Sequence, residues 1–245
     1  MSWRRLVLIA AALAGIVLTA RLGWWQLTRA DEKLAWQATV AARDRLPPLD
    51  GAALTAELAS GAADAIVQRR VRLQGSWLPA QTVYLDNRMM RHRSGFYVLT
   101  PLRLRPGGTV VLVQRGWAPH DARDRGVLPA VETPVDEVAV AGRLIARPPP
   151  TFALGQESAG PIRQNLDLQA YGRETGLALA PLVVQELGAA SHGLERDWPE
   201  PGSGVETNYG YAVQWFSLCA LIAGLFFWFQ VVRPLRSSRH GRAAR

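Results

Sequence analysis

Two long apolar segments, one near each end, constrain the fold of this 245-residue chain more than any other feature of its sequence. The first covers residues 6–20 and is extended by Trp3 and by residues 22–27, and the second covers residues 209–232. A helix that crosses a bilayer needs about 20 residues at 1.5 Å of rise each. We therefore predict two membrane spans, at residues 6–27 and at residues 209–232.

The net charge of +8 lies beside these two segments. Residues 1–27 and 209–245 contain arginines and no acidic residue, whereas residues 28–208 contain 20 basic and 20 acidic residues. Short arginine-rich segments stay on the cytoplasmic side of a membrane. We therefore expect a multi-pass protein in which residues 1–5 and the basic tail, residues 233–245, are cytoplasmic and residues 28–208 form a periplasmic domain. This charge distribution does not indicate nucleic acid binding.

The N-terminal segment has one alternative interpretation, a cleaved signal peptide. The residues that follow its apolar core are Arg21-Leu22-Gly23-Trp24-Trp25, which do not offer small residues for cleavage before a polar mature start. Only five residues precede that core, which is too few for a mitochondrial transit peptide. An uncleaved anchor in a bacterial inner membrane fits both observations.

The residues between the spans show the alternation of apolar and polar side chains that is typical of strands. Within residues 66–77, Val71 and Leu73 fall on one face, and Arg70 and Arg72 fall on the other. The patterns predict strands at residues 66–77, 82–86, 95–104, 109–117, 138–147 and 182–187, and helices at residues 28–46, 50–62 and 167–176. The fold class is an α+β membrane protein, in which two transmembrane helices flank a mainly antiparallel β domain with a few helices, arranged as an open sheet or a small barrel.

The sequence contains no residue pattern that indicates an enzyme or a resident metal. Four histidines are present, each apart from acidic or cysteine neighbours at metal-ligand spacing, and we expect all four at the surface. They are His92, His120, His192 and His240. Cys219 is the only cysteine, which excludes an intrachain disulfide. Asp86 and Arg88 are expected to be solvated in a loop.

What distinguishes the chain is a set of four short clusters rich in aromatic, arginine and glycine residues. They lie at residues 22–29, 95–102, 111–119 and 208–216. The first and the last stand where the two predicted spans leave the membrane on the outer side, and the other two lie on neighbouring predicted strands.

In this order, the four clusters resemble the Surfeit locus protein 1 family of cytochrome c oxidase assembly factors. The matching positions, which are the candidate functional residues, are Leu22, Gly23, Trp25, Gln26, Arg29, Gly95, Pro101, Arg115, Gly116, Trp117, Tyr211 and Trp215. The chain departs from the family pattern at Phe96, which replaces a tyrosine, and at Gln114, which replaces an asparagine. Asn208 occupies the position of a histidine that is the family's candidate haem ligand.

The resemblance implies a non-enzymatic factor that helps haem a reach subunit I of cytochrome c oxidase, or stabilises that subunit during maturation. It implies subunit I, haem a synthase and the membrane as partners, and haem a as a transient ligand. An amide is a poor ligand for haem iron, so Asn208 argues against ligation at its position. A stand-alone haem-binding carrier and a generic membrane-anchored scaffold or sensor are the alternative functions.

Two further possibilities for haem contact stay open at this point. Tyr209 or Tyr211 could replace the missing histidine, and Arg29 or Arg115 could pair with haem propionates. The plainer alternative is that the tyrosines anchor the second span at the membrane interface and that the arginines form structural pairs.

Overall fold

The structure, a computed structural model, describes residues 3–151, 160–199 and 202–233. The chain forms two compact units: Met1–Thr39 together with Glu200–Arg245, and Val40–Pro199. In chain order the elements are α1 (Trp3–Asp44), α2 (Gly51–Ala59), β1 (Arg70–Trp77), β2 (Val83–Met90), β3 (Arg93–Leu104), β4 (Val110–Pro119), β5 (Val138–Ile145), β6 (Ile162–Arg163), α3 (Leu168–Thr175), β7 (Leu179–Glu186) and α4 (Val205–Phe227).

The helices of the first unit are α1, up to Thr39, and α4. Helix α1 has 42 residues, which makes it about 63 Å long at 1.5 Å per residue. The predicted helix at residues 28–46 is therefore the continuation of the first apolar segment in one uninterrupted helix. Helix α4 is followed by a π-helical turn at Trp228–Val232. Among the described residues, these two helices are long and apolar enough to cross a membrane.

The second unit is built on a seven-stranded sheet with the strand order β1-β5-β7-β4-β3-β2-β6. An additional pairing of β1 with β3 closes five of these strands into a barrel, and β2 and β6 extend outward from β3. The pairs β4–β7 and β2–β6 are parallel and the other pairs are antiparallel. The prediction of a mainly antiparallel domain is confirmed, and the sheet closes as a small barrel.

Strand β3 makes the closure possible because its outer edge changes partner along its length. Its first half, up to Leu99, pairs with β2, and its second half, from Leu102, pairs with β1. Pro101 lies between the two pairings, and its carbonyl accepts a hydrogen bond from Leu78 N at 2.9 Å. The nitrogen of Pro101 faces the same side as its carbonyl, so the absent N–H costs no hydrogen bond to β4.

Two apolar clusters stabilise this unit. The first draws residues from all five barrel strands and none from β2, and therefore fills the barrel; its members include Val71, Leu73, Leu102, Leu104, Val111, Val113, Val140, Leu144, Leu182 and Val184. The second lies between the sheet and α3; its members include Val83, Leu85, Tyr97, Leu99, Leu112, Trp117, Tyr171 and Val183. Asp167 caps the start of α3 by accepting from Ala170 N at 2.7 Å.

The structure corrects the bounds of β1 and β2 and adds strand β6. Strand β1 begins at Arg70, because Ala63–Ile66 form a 3-10 turn and Gln68 has a φ of 69°. Strand β2 extends to Met90 through a bulge between Leu85 and Arg88, so Asp86 and Arg88 do not lie in a loop. Strand β6 was not predicted from the sequence, since two residues are too few to show an alternating pattern.

Candidate functional site

The first cluster and the last cluster meet in the helical unit through a chain of hydrogen bonds. Lys33 Nζ donates to Asn208 Oδ1 at 2.7 Å and to the carbonyl of Gly204 at 3.2 Å. Asn208 Nδ2 in turn donates to Gln26 Oε1 at 2.7 Å. Both ends of the Asn208 amide are therefore occupied by side chains of α1. We call Gln26, Lys33 and Asn208 the polar clamp.

Small residues let the two helices approach each other beside the polar clamp. A Cβ atom on Gly23 would lie 2.9 Å from Cζ of Phe216. Ala30 on α1 is 0% exposed and Ala212 on α4 is 2% exposed. Close backbone approach at small residues is the usual basis of helix pairing in membranes. The glycine of the first cluster is thus explained by helix packing.

The aromatic residues of the same two clusters are more exposed than the small residues between the helices. Trp25 is 53% exposed and Tyr211 is 49% exposed, and Trp215 is partly buried. Arg29 forms an exposed ion pair with Glu32 at 2.7 Å. Each cluster therefore supplies one set of residues that joins the helices and another set that faces outward within this unit.

In the barrel, the other two clusters meet at Gly95 of β3 and Trp117 of β4. A Cβ atom on Gly95 would lie 2.1 Å from the carbonyl oxygen of Ala118 and 2.7 Å from the indole of Trp117. Trp117 is fully buried, and its Nε1 donates to the carbonyl of Arg88 at 2.8 Å. Only glycine at position 95 leaves room for this ring.

Arg115 occupies a bulge of β4, where Val98 pairs with Gly116 and Leu99 with Gln114. Its side chain is 1% exposed, lies 4.7 Å from the Trp77 ring, and donates to Thr133 Oγ1 at 2.8 Å and to the Glu132 carbonyl at 2.7 Å. Burial lowers the pKa of Arg115 from its usual value. The arginine therefore fastens the long connection between β4 and β5 to the barrel.

Gly116 permits a second segment to cross β4. We call residues 188–199 the strap. A Cβ atom on Gly116 would lie 2.5 Å from Cβ of Leu194, and Trp117 exchanges two backbone hydrogen bonds with Glu195, of 2.7 Å and 2.8 Å. Leu194 is 1% exposed. The strap is therefore packed into the domain by the absence of a side chain at position 116.

The strap also brings Arg196 to the largely buried carboxylate of Glu186, at the end of β7. Arg196 Nη2 lies 2.9 Å from Glu186 Oε1, and its Nε donates to the carbonyl of Arg115 at 2.7 Å. Burial raises the pKa of Glu186, although the charges of Arg196 and Arg115 oppose that rise. Gln114, beside Arg115, is 0% exposed, and neither atom of its amide has a hydrogen-bond partner.

The expectation that all histidines lie at the surface is wrong for His120. Its side chain is 7% exposed, and its Nε2 lies 2.6 Å from Asp86 Oδ1. Its Nδ1 lies 3.2 Å from Ser94 Oγ, and its ring packs edge-on against Phe96 at 4.5 Å. Asp86 is 34 residues away in sequence, so spacing alone could not reveal this pair. His240 lies outside the described residues.

The residues at the family's haem-ligand position do not fit an axial haem ligand. Asn208 presents an amide whose two ends are already bonded within the polar clamp, beside the cationic Lys33. Tyr209 and Tyr211 are 42% and 49% exposed. Arg115 is buried and bonded to the domain itself, which is inconsistent with a propionate partner. Among the described residues, no group of three or more His, Cys, Asp or Glu side chains could hold a metal ion.

Comparison with known proteins agrees with the pattern of the four clusters. A model of the SURF1 family matches residues 13–220. A SURF1-like protein of Rickettsia bellii is 22% identical over 220 residues, which cover 87% of each chain. SURF1-like proteins of Rickettsia conorii and Rickettsia felis are 32% identical over 98 residues, which cover 39% of this chain and 37% and 39% of theirs.

The family match covers well over half of the chain and includes most of α1, the barrel and most of α4. It supports association with a membrane and a general role in cytochrome c oxidase assembly, as the resemblance of the four clusters implied. The chain belongs to the SURF1 family, the Surfeit locus protein 1 family.

Proposed function

We propose that this protein assists maturation of cytochrome c oxidase by binding and stabilising subunit I while haem a is inserted. In this proposal α1 and α4 span a bacterial inner membrane, both termini are cytoplasmic, and residues 28–208 lie in the periplasm. Haem a is delivered to subunit I by another protein, such as haem a synthase, rather than through iron ligation at Asn208.

The polar clamp is the observation that carries this proposal. Buried hydrogen bonds between helices fix the rotation and the register of each helix relative to its partner. With α1 and α4 fixed in this way, the exposed aromatic residues Trp25 and Tyr211 are presented at constant positions. Such residues suit contact with the helices of another membrane protein, since aromatic side chains are enriched at the centres of protein interfaces.

The position that the family uses for a haem ligand supports the same conclusion. In this chain the amide of Asn208 donates and accepts within the polar clamp, so the residue serves helix pairing. A protein that acts by contact needs the helix pair, whereas a carrier would also need an iron ligand.

Deletion of the gene is the first test. We expect membranes of the deletion strain to lose oxidase activity and the haem a signal in reduced-minus-oxidised spectra, and a plasmid copy to restore both. Unchanged oxidase content in the deletion strain would contradict a role in assembly.

Site-specific photocrosslinking then tests the mode of action. A benzoylphenylalanine residue in place of Trp25 should capture oxidase subunit I, whereas the same residue in place of Val135, which is 94% exposed in the barrel unit, should not. Capture of unrelated membrane proteins from position 25 would favour the general scaffold. A Soret band that co-purifies with the protein when haem a is supplied would favour the haem carrier.

A further inference from the structure

A cavity of about 410 Å³ lies in the barrel unit, beside β2 and the start of α3. Pockets that bind small molecules have volumes of about 300–1,000 Å³. Much of its wall is apolar and is formed by Leu85, Pro148, Leu166, Leu168 and Pro181. An apolar wall of this size is suited to a hydrocarbon or aromatic body.

The cavity is also lined by a buried arginine, Arg88, which is 5% exposed. Its two Nη atoms donate to the carbonyls of Pro149 and Gln164, and its Cζ lies 5.5 Å from the centroid of the Tyr97 ring. Its Nε has no partner. In the part of the chain that the structure describes, the hydrogen-bond partners of Arg88 are therefore neutral carbonyls, and the Asp86 carboxylate acts on its charge without forming an ion pair with it.

Asp86, which acts on Arg88, and Asp167, which shares the cavity wall with it, each have another partner. Asp86, two positions earlier on β2, holds His120 at 2.6 Å. Asp167 lines the cavity, but its carboxylate caps α3 through Ala170 N. A guanidinium stays charged at any physiological pH, and a buried charge without a counter-ion is costly. Arg147 is a second arginine on the cavity wall.

We propose that this cavity binds an organic monoanion, a carboxylate with an apolar body, whose charge pairs with Arg88. A guanidinium has five N–H donors and the two carbonyls use only some of them, so Arg88 retains donors for a carboxylate. Among the described residues that line the cavity, two arginines and one aspartate give one excess positive charge, which matches a single negative charge. The apolar body contacts Leu85, Leu166 and Leu168. This site is independent of the proposed role in oxidase assembly.

Calorimetric titration of the full chain in lipid nanodiscs tests the proposal. The probe is 2-naphthoate, with its neutral isostere 2-naphthamide as the chemical control and empty nanodiscs as the blank. We expect saturable binding of one naphthoate per chain and at least tenfold weaker binding of the amide. Absence of saturable binding would overturn the proposal, and equal binding of the two compounds would overturn the role of charge.

Variants locate the binding site. Arg88→Met should weaken naphthoate binding at least tenfold, but Arg88 also holds two carbonyls, and this variant can lose its fold. Leu168→Trp fills the cavity from α3 and leaves Arg88 unchanged, and it should abolish binding without lowering the melting temperature. Arg173→Met, an exposed arginine of α3 outside the cavity wall, is the matched control and should bind normally. Binding that survives Leu168→Trp would place the probe elsewhere and refute the site.

Discussion

Lys33 and Asn208 are 175 residues apart in sequence and are joined by a 2.7 Å hydrogen bond between Nζ and Oδ1. This bond gives the amide at the family's histidine position a structural partner on α1. The rest of the polar clamp, from Asn208 Nδ2 to Gln26 Oε1, satisfies the other end of the amide. Helix pairing in this protein therefore depends on polar residues as well as on small ones.

Replacement of Lys33 by methionine should weaken the pairing of α1 with α4. The change removes the Lys33 donor from the partly buried Asn208 Oδ1, and the loss of one such hydrogen bond costs about 0.5–1.5 kcal/mol. The melting temperature in nanodiscs and the oxidase content of membranes should both fall. Arg29→Met is the matched control for the melting temperature, because Arg29 forms only an exposed pair with Glu32. An equal fall in melting temperature in the two variants would show that the polar clamp does not stabilise the pairing of α1 with α4.

Replacement of Trp25 by alanine should lower oxidase maturation several-fold without lowering the melting temperature. Trp25 is 53% exposed and contributes a surface rather than packing within the helical unit. Trp24→Ala provides the control, since Trp24 is 70% exposed and lies outside the family pattern. The measurement is the haem a absorbance of membranes at equal levels of the variant proteins. Trp215→Ala should also lower maturation. Loss of function in Trp24→Ala to the same extent would point to membrane anchoring instead.

Replacement of Gly116 by alanine should destabilise the barrel unit. The new Cβ would lie 2.5 Å from Cβ of Leu194 and 2.9 Å from the carbonyl oxygen of Glu195, so the strap must shift. Overpacking of this kind costs about 1–3 kcal/mol, and Gly116→Glu should cost more. Chemical denaturation followed by tryptophan fluorescence measures the loss.

Gly126→Ala is the control for that experiment, because its Cβ would meet only Asp124 Oδ1, at 3.3 Å. If Gly116→Ala unfolded at the same denaturant concentration as the parent protein, the strap would not be packed against β4 as described.

Replacement of His120 by asparagine should also destabilise the barrel unit, by about 1–3 kcal/mol. The shorter side chain cannot bridge Asp86 and Ser94 and leaves a gap beside Phe96. His92→Asn is the matched change at an exposed histidine, and asparagine tolerates the φ of 63° at that position. Denaturation midpoints compare the two variants. A larger fall in the denaturation midpoint for His92→Asn than for His120→Asn would contradict a stabilising role of the His120 hydrogen bonds.

Replacement of Glu186 by glutamine should reduce the pH dependence of stability. Burial raises the pKa of Glu186 in the folded protein, so the folded state holds this proton more tightly than the unfolded chain does. The corresponding stabilisation is fully present below the ordinary glutamate pKa and is lost as pH rises through the raised value. Subtracting the Glu186→Gln curve from the parent curve across this window isolates the effect. If the free energy of unfolding of the parent minus that of Glu186→Gln grew with pH, the pKa of Glu186 would be lowered by folding, and the prediction would be wrong.

Most regular elements of this protein could be read from the sequence because they have a local signal, whereas the two-residue strand β6 has none. Asp167 and Gly176 mark the two ends of α3, and the two glycines at positions 107 and 108 adopt positive φ in the turn between β3 and β4. Alternation along β1 correctly identified its buried face. The buried surroundings of Arg88, His120 and Leu194 had no such signal, because each depends on residues distant in the chain.

The sequence by itself determined the two apolar helices, the β-rich character of the residues between them and the family, since hydrophobic length, alternation and short motifs are local properties. Only the tertiary structure decided the closure of the barrel, the polar clamp at Asn208 and the burial of Arg115. The physical reason is that closure requires β1 to pair with the far half of β3, and the polar clamp requires side chains from opposite ends of the chain. No local pattern encodes which distant partner satisfies a hydrogen bond.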